Sequence, residues 1–386
     1  MKIARNIKLC CALLLLLPLL AQAELKILIG VDPADEVGKN NVDRVISSIP
    51  ELNSALGSKV FSNQSSNLTD VLRSTRTQEN DIIIGPPHII ASAISHHYQV
   101  LARNEADADF VLIARPDIKK LDDIAGKRLY LTQQDSTRTY VAKGMLIENN
   151  IDIKSIKQVT YGKTSGAGLF ALAANLTDMT IASREEAQSW ILANPGQGVI
   201  IKTSRRIPAG MALVVKSDTS EAVRKIILKW ASSSTNGVGK FRATTNEDVT
   251  QYRYIASLGI LTPASLSGVQ TVTADEVSKL VAKGVTVVDT RSAKEYQLAH
   301  IAGAINAAYV EHSLKERDFD PKLDDYSAIA ALPKEKAVIF LCNGTECWKS
   351  YKASKIALQL GFTQIYWFRG GMPEWQEKSL PTKTGS

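Results

Sequence analysis

The sequence predicts an α/β protein built as two successive units. Three observations carry that expectation. Short apolar runs alternate with helical patterns; the stretch Leu261 to Gln270 (LTPASLSGVQ) gathers Pro, Ser and Gly and breaks the pattern; beyond it, strand–helix alternation resumes. The length of 386 residues exceeds one typical core and agrees with more than one domain. Neither internal repeats nor low-complexity tracts are evident. The expected division is residues 1–23 as a signal, 24–262 as the first domain, 263–270 as a linker and 271–386 as the second domain.

The opening residues set the compartment. Lys2, Arg5 and Lys8 precede an apolar run, Leu13 to Leu20, which ends at Ala21-Gln22-Ala23. This is the pattern of a secretory signal peptide, with cleavage expected before Glu24 and the periplasm as destination. The apolar run is shorter than the roughly 20 residues of a membrane span, and no later segment qualifies. Cys10 and Cys11 would leave with the signal, so Cys342 and Cys347 are the thiols expected to meet an oxidising compartment. The formal charge of +7 falls when Lys2, Arg5 and Lys8 are removed, and the remaining basic residues form no run. Nucleic acid is therefore not an expected partner, and small anions suit the surface better.

In the first domain, LKILIGV is followed by a helix near Val42 to Leu56, KVFSN by a helix from Leu68 to Ser74, and DIIIG by a helix from His88 to His96. FVLIAR, RLYLT, QVTYG, DMTIAS, VIIKTS and MALVVK are further strands. Strands alternating with helices predict a parallel sheet covered on both faces, here in two lobes. The most informative stretch is LYLTQQDSTRTYVAKGML. A strand leads into Asp135-Ser136-Thr137 and then a helix, so unpaired backbone N–H groups and hydroxyls converge where an anion is favoured. Local sequence alone reads Ser136 and Thr137 as ordinary N-caps. The turns Gly85 to His88 and Lys163 to Gly166 also follow strands, where α/β folds place ligand contacts, and His88 and Lys163 are candidates to add positive charge.

At DIIIGPPHIIASA (Asp81 to Ala93), at Leu121 to Asp152 and at IPAGMALVV (Ile207 to Val215), the chain resembles the phosphate/phosphonate-type substrate-binding proteins of ABC transporters. The resemblance implies a two-lobed periplasmic-binding fold that closes on a small oxyanion. It turns the reading of Ser136, Thr137 and Thr139 toward ligand binding, with His88 and Ser165 beside them. Many relatives carry an aromatic residue near the position of His88, and this departure leaves the ligand's identity open.

The second domain begins at Thr273-Ala-Asp-Glu276, a helix-start signature, and proceeds through VTVVDTR, HIAGAIN, AVIFLC and RGGMPEW. With these features in order, the segment resembles a rhodanese domain with a central parallel sheet. Cys342 stands between a strand and a helix, where inward N–H groups and the helix dipole lower a thiol pKa from about 8.5. The resemblance implies that the Cys342 thiolate takes sulfane sulfur from a donor as a persulfide and passes it to a thiol or cyanide acceptor. Asp289, Arg291 and His300 are read as structural, since nothing in their spacing points at the loop.

The loop departs from the common rhodanese pattern. Gly344 lies two residues after Cys342, where the family often has its glycine at three, and Cys347 takes the place of an arginine at five. Trp348, Lys349 and Ser350 follow, and Lys349 or Arg369 is a candidate to supply the missing charge. Catalytic roles are therefore expected of Cys342, Cys347 and Lys349. Cys347 would attack a persulfide or close a labile disulfide, which suits a periplasmic thiol-redox partner. Two rival readings stand: a non-catalytic anion receptor with a rhodanese-like interaction module, and a thiol–disulfide redox protein using Cys342 and Cys347. Neither a cofactor nor a metal is expected, because two cysteines and scattered histidines do not make a four-ligand site. A fused domain of this size would obstruct a membrane transporter partner, which favours sensing or substrate supply.

Overall fold

The computed structural model describes residues 24–233, 241–258 and 261–385. The expected signal peptide, residues 1–23, lies outside the described residues. No described helix is long and apolar enough to cross a membrane.

The first domain has two lobes, each around its own sheet. One sheet runs in the order Phe241–Ala243, Tyr98–Asn104, Ala212–Lys216, Ile82–Gly85, Leu25–Gly30 and Val60–Ser65. The other runs Val199–Thr203, Phe110–Ala114, Met179–Ser183, Arg128–Leu131 and Gln158–Tyr161. Both are mixed, which corrects the expectation of a purely parallel sheet. Leu25–Gly30 pairs parallel with Val60–Ser65 and Ile82–Gly85, as expected of strands joined by helical crossovers. Ala212–Lys216 and Phe110–Ala114 pair antiparallel with their neighbours. Both lie next to the points where the chain passes directly between the lobes, so no crossover helix turns them around.

At the crossings, Asp107–Ala108 pairs with Ile207–Pro208. Arg103 is buried there, donating to the carbonyls of Asn104 and Ala106 and pairing with Asp107 and Asp248. This clamp belongs to Tyr98–Asn104, a strand absent from the sequence expectation. The expected helix over Val42 to Leu56 is two, Glu36–Ser47 and Ile49–Leu56, with Pro50 at the start of the second, where its missing N–H costs nothing. One core spans both lobes: Leu28 and Ile83 from the first, Leu112 and Ile181 from the second, and Tyr140, Val141 and Met145 from the helix Thr137–Glu148.

The last first-domain helix ends at Ser257, and the next strand begins at Gln270. The second domain's sheet runs Gln270–Thr271, Ile365–Phe368, Val338–Leu341, Thr286–Asp289 and Ile305–Asn306, with every pairing parallel. The Thr273 helix start forms a capping box: Thr273 Oγ1 accepts from the Glu276 N–H, and Glu276 accepts from the Thr273 N–H. Val338–Leu341, buried along its length, delivers the chain to Cys342.

Candidate functional site

Cys342 and Cys347 flank a tight loop between Val338–Leu341 and the helix Trp348–Gln359. They are joined by a disulfide with their Cα atoms 6.0 Å apart. Both are buried, at 1% and 6% exposure. The loop closes through Gly344, whose φ of +93° suits glycine, and through the Cys347 N–H donating to Gly344 O at 3.0 Å. Gly371 explains the RGGM motif. A Cβ there would lie 2.1 Å from Cys342 O and 2.7 Å from Gly344 N, so only glycine lets Met372 N–H donate to Cys342 O.

Lys349 is half-buried at the helix start, and burial lowers its pKa, with Glu295 and Glu311 opposing and Arg76 and Arg73 assisting. Arg369 is committed elsewhere: its guanidinium donates to Thr262 O at 2.7 Å and Thr262 Oγ1 at 3.2 Å. Thr262 in turn donates through both N–H and Oγ1 to Thr345 O, each at 2.7 Å.

Asp289, Arg291 and Glu295 reach the loop after all, through Asn343, a residue the sequence reading passed over. Arg291 grips Asp289, with Nη2 2.6 Å from Oδ2, and extends Nη1 to Asn343 Oδ1 at 3.5 Å. Asn343 Nδ2 donates to Glu295 Oε1 at 2.6 Å. Burial would raise the Glu295 pKa, but the Ser292 and Asn343 hydrogen bonds outweigh it and hold the carboxyl below its ordinary value. His300 keeps a structural place, with Nδ1 2.9 Å from Tyr296 O and its ring stacked on Tyr296.

The helix start at Asp135 brings together four of the five residues expected to contact a ligand. Ser136 Oγ lies 2.6 Å from Thr132 Oγ1 and accepts from Thr139 N–H at 3.2 Å. Thr139 Oγ1 donates to Thr132 O, and Thr137 Oγ1 lies 2.8 Å from His88 Nδ1. Ser165 joins indirectly, donating to Glu186, which pairs with Arg138 beside Thr137. Lys163 is exposed. His88 does not add the positive charge expected of it: burial pushes its pKa down to about 3, so the ring is neutral. Its Nε2 is buried without a hydrogen-bond partner.

The dominant charge here is a carboxylate. Asp135, 3% exposed, accepts from Thr69 Oγ1 at 2.6 Å and Tyr140 OH at 2.7 Å, and it meets the ammonium of Lys315, from the second domain, at 2.6 Å. Burial would raise its pKa, but Lys315 and these hydrogen bonds prevail and hold it well below the carboxylate range. A second contact joins the domains at the cysteine loop. Ser92 Oγ donates to Glu346 Oε2 at 2.5 Å, and Arg76 and His96 stand 4.0 and 3.9 Å from that carboxylate.

Two first-domain helices carry both contacts. Leu68–Thr77 bears Thr69 at the Asp135 end and Arg76 at the Glu346 end, while Pro87–Ile94 bears His88 and, one turn on, Ser92. Lys315 is presented from a fixed base. The fully buried Lys352 ammonium donates to Ser313 O and Oγ at 3.0 and 2.8 Å and pairs with Glu311 at 2.8 Å. None of Asp135, Lys315, Ser92 or Glu346 carries a local sequence signal for these roles.

Residues 43–235, half of the chain, match the family described as ABC transporter, phosphonate, periplasmic substrate-binding protein. The chain belongs to that family. Residues 273–378 match the rhodanese-like domain, so a phosphonate-family binding domain is followed by a rhodanese-like one. An HTH-type transcriptional regulator of Mycobacterium tuberculosis is 32% identical over 102 residues, covering 26% of this chain and 39% of that protein. The thiosulfate:glutathione sulfurtransferase of Saccharomyces cerevisiae is 25% identical over 118 residues, covering 29% of this chain and 81% of that protein. The binding-protein component of an ABC phosphonate transporter from Pseudomonas aeruginosa superposes with a TM-score of 0.46 at 18% identity, covering 68% of this chain and 94% of that one.

Proposed function

We propose that the protein is an exported sulfurtransferase that carries sulfane sulfur as a Cys342 persulfide, with Cys347 as resolving thiol. The proposed signal, binding domain, linker and rhodanese domain are residues 1–23, 24–262, 263–270 and 271–386, and the periplasmic character of the family supports export. The observation that carries the reading is a cysteine at the end of a buried strand, paired with another at the start of the next helix. The similarity to a thiosulfate:glutathione sulfurtransferase supports it.

With the disulfide reduced, the Cys342 thiolate attacks the sulfane sulfur of a donor such as thiosulfate. The donor's sulfur–sulfur bond breaks, sulfite leaves with the electron pair, and Cys342 holds a persulfide. A thiolate or cyanide acceptor then attacks the outer sulfur and frees the Cys342 thiolate. Alternatively, the Cys347 thiolate attacks Cys342 Sγ and expels the outer sulfur as hydrosulfide; the sulfane sulfur is reduced, and the two cysteines are oxidised to the disulfide. A dithiol resets the loop. In this reading Lys349, two residues after Cys347 at the helix start, is the cation that helps hold the anionic persulfide. In the binding domain, Ser136, Thr137 and Thr139, with His88 and Ser165, form the proposed site for a small oxyanion.

Mass spectrometry of the reduced protein after exposure to thiosulfate tests the reading. We expect one added sulfur on the Cys342 peptide and none in Cys342→Ser; normal turnover by Cys342→Ser would sink it. The disulfide also favours a second reading, a thiol–disulfide redox protein. Oxidation of a substrate dithiol by the intact disulfide, with no sulfur ever gained at Cys342, would select it.

A further inference from the structure

The two sites meet in one interface, and each domain covers the other's. Lys315 of the rhodanese-like domain fills the acidic position beside the proposed oxyanion site. Ser92, Arg76 and His96 of the binding domain close over the cysteine loop. Glu346 reaches Ser92 and Arg76, a Cβ built on Gly344 would lie 3.7 Å from His96 Nε2, and Thr345 O is held by Thr262. Three consecutive loop residues are thus pressed by elements outside the rhodanese-like domain. Both ends of the contact rest on the same two helices. Thr69 and Arg76 are seven residues apart and His88 and Ser92 four apart, spacings that put each pair along one helix face. A shift of either helix at one end must be felt at the other.

We propose that the binding domain is a latch over the cysteine loop: a dithiol reaches the Cys342–Cys347 disulfide when the domains part, and releasing the Lys315–Asp135 end opens the cysteine end. Both sulfur-bearing residues are almost fully buried, so reagent can attack only after an opening, and the binding domain is what rests on the neighbouring Gly344, Thr345 and Glu346. Lys315 makes no hydrogen bond or ion pair with residues 342–350 among the described residues, so its loss reaches the loop only through the interface. The latch is independent of whether the loop transfers sulfur, because it concerns access alone.

The test is the rate at which dithiothreitol reduces the disulfide in the folded full-length protein. One reagent thiolate attacks a disulfide sulfur and releases the other cysteine as thiolate; the second reagent thiol then displaces the mixed disulfide, leaving cyclic oxidised reagent and two protein thiols. Free thiols are counted against time, with circular dichroism monitoring the fold. Lys315→Ala and Glu346→Ala are each expected to accelerate reduction by about 10-fold or more, since the first leaves the buried Asp135 carboxylate without its counter-charge and the second removes the acceptor of Ser92 across the interface. Rates within about twofold of the unaltered protein for both variants overturn the proposal, the same margin being well below any opening effect. Acceleration in Glu346→Ala alone also overturns it, because that is a local loop effect without coupling. If Lys315→Ala fails to fold, Lys315→Gln removes the charge, keeps a donor and carries the same two outcomes.

Discussion

The cysteine loop and the Asp135 helix start have the same local plan: a four-residue strand, a short polar turn, then a twelve-residue helix. They differ in who satisfies the helix. At Asp135 the chain caps itself, with Ser136 accepting from Thr139 N–H and Thr137 against His88. At the cysteine loop, Cys347 holds the N-cap position and gives no side-chain cap. The first turn spends its hydroxyls on its backbone and on Thr132 and His88; the second leaves its helix start without a side-chain cap, with a cysteine in the capping position. What they share is a buried carboxylate that reaches the other domain: Asp135 pairs with Lys315, and Glu346 Oε2 accepts from Ser92. Similar local geometry therefore supports different chemistry, and the partner across the interface completes each.

The largest expected effect is on the second turn's supports. Asp289→Asn leaves the Arg291 guanidinium buried and unpaired beside Asn343, so unfolding free energy by urea titration should fall by about 3 kcal/mol or more. A loss below about 1 kcal/mol would mean that the loop does not depend on this pair.

A smaller effect, tied to pH, belongs to the first turn. The pKa of His88 is depressed to about 3 by burial, while an unfolded histidine titrates near 6.5. As pH falls from about 6.5 toward about 3, the unfolded state takes up a proton that the folded state refuses, so stability drops by about 1.4 kcal/mol per unit. Between pH 6.5 and 5 this amounts to about 2 kcal/mol, absent in His88→Asn. Matching pH slopes for the two proteins in urea titrations would show that His88 protonates in place.

The smallest effect separates capping from ligand binding. Ser136→Ala should cost about 1 kcal/mol, the usual value of an N-cap. If the oxyanion site is where we place it, calorimetry with phosphate or methylphosphonate should also show binding weakened in Ser136→Ala with Thr137→Ala. Unchanged affinity would leave Ser136 as a cap and move the site.

Local signals made much of this legible. The strand running into Cys342, the capping box at Thr273, and the hydroxyl-rich start at Ser136 are contiguous patterns, and each forms the expected element. Gly371 entered the sequence reading only as part of the RGGMPEW motif, and the close approach to Cys342 O that demands it comes from packing. The interface was illegible: Ser92 and Glu346 are 254 positions apart, and Asp135 and Lys315 180. Contacts at such separations leave no periodicity in either segment. The direction of His88's pKa was missed for the same reason, since burial comes from packing and not from neighbours in the chain.

Thr262 has a mechanical consequence. Its N–H and hydroxyl both hold the carbonyl of Thr345, while Arg369 holds Thr262 from the other side. The last residue of the first domain, where the linker begins, is thus riveted to the peptide that precedes Glu346. A load that pulls on the chain where it leaves the binding domain is therefore passed to that peptide group, two positions from Cys347, alongside the Ser92–Glu346 and Lys315–Asp135 contacts.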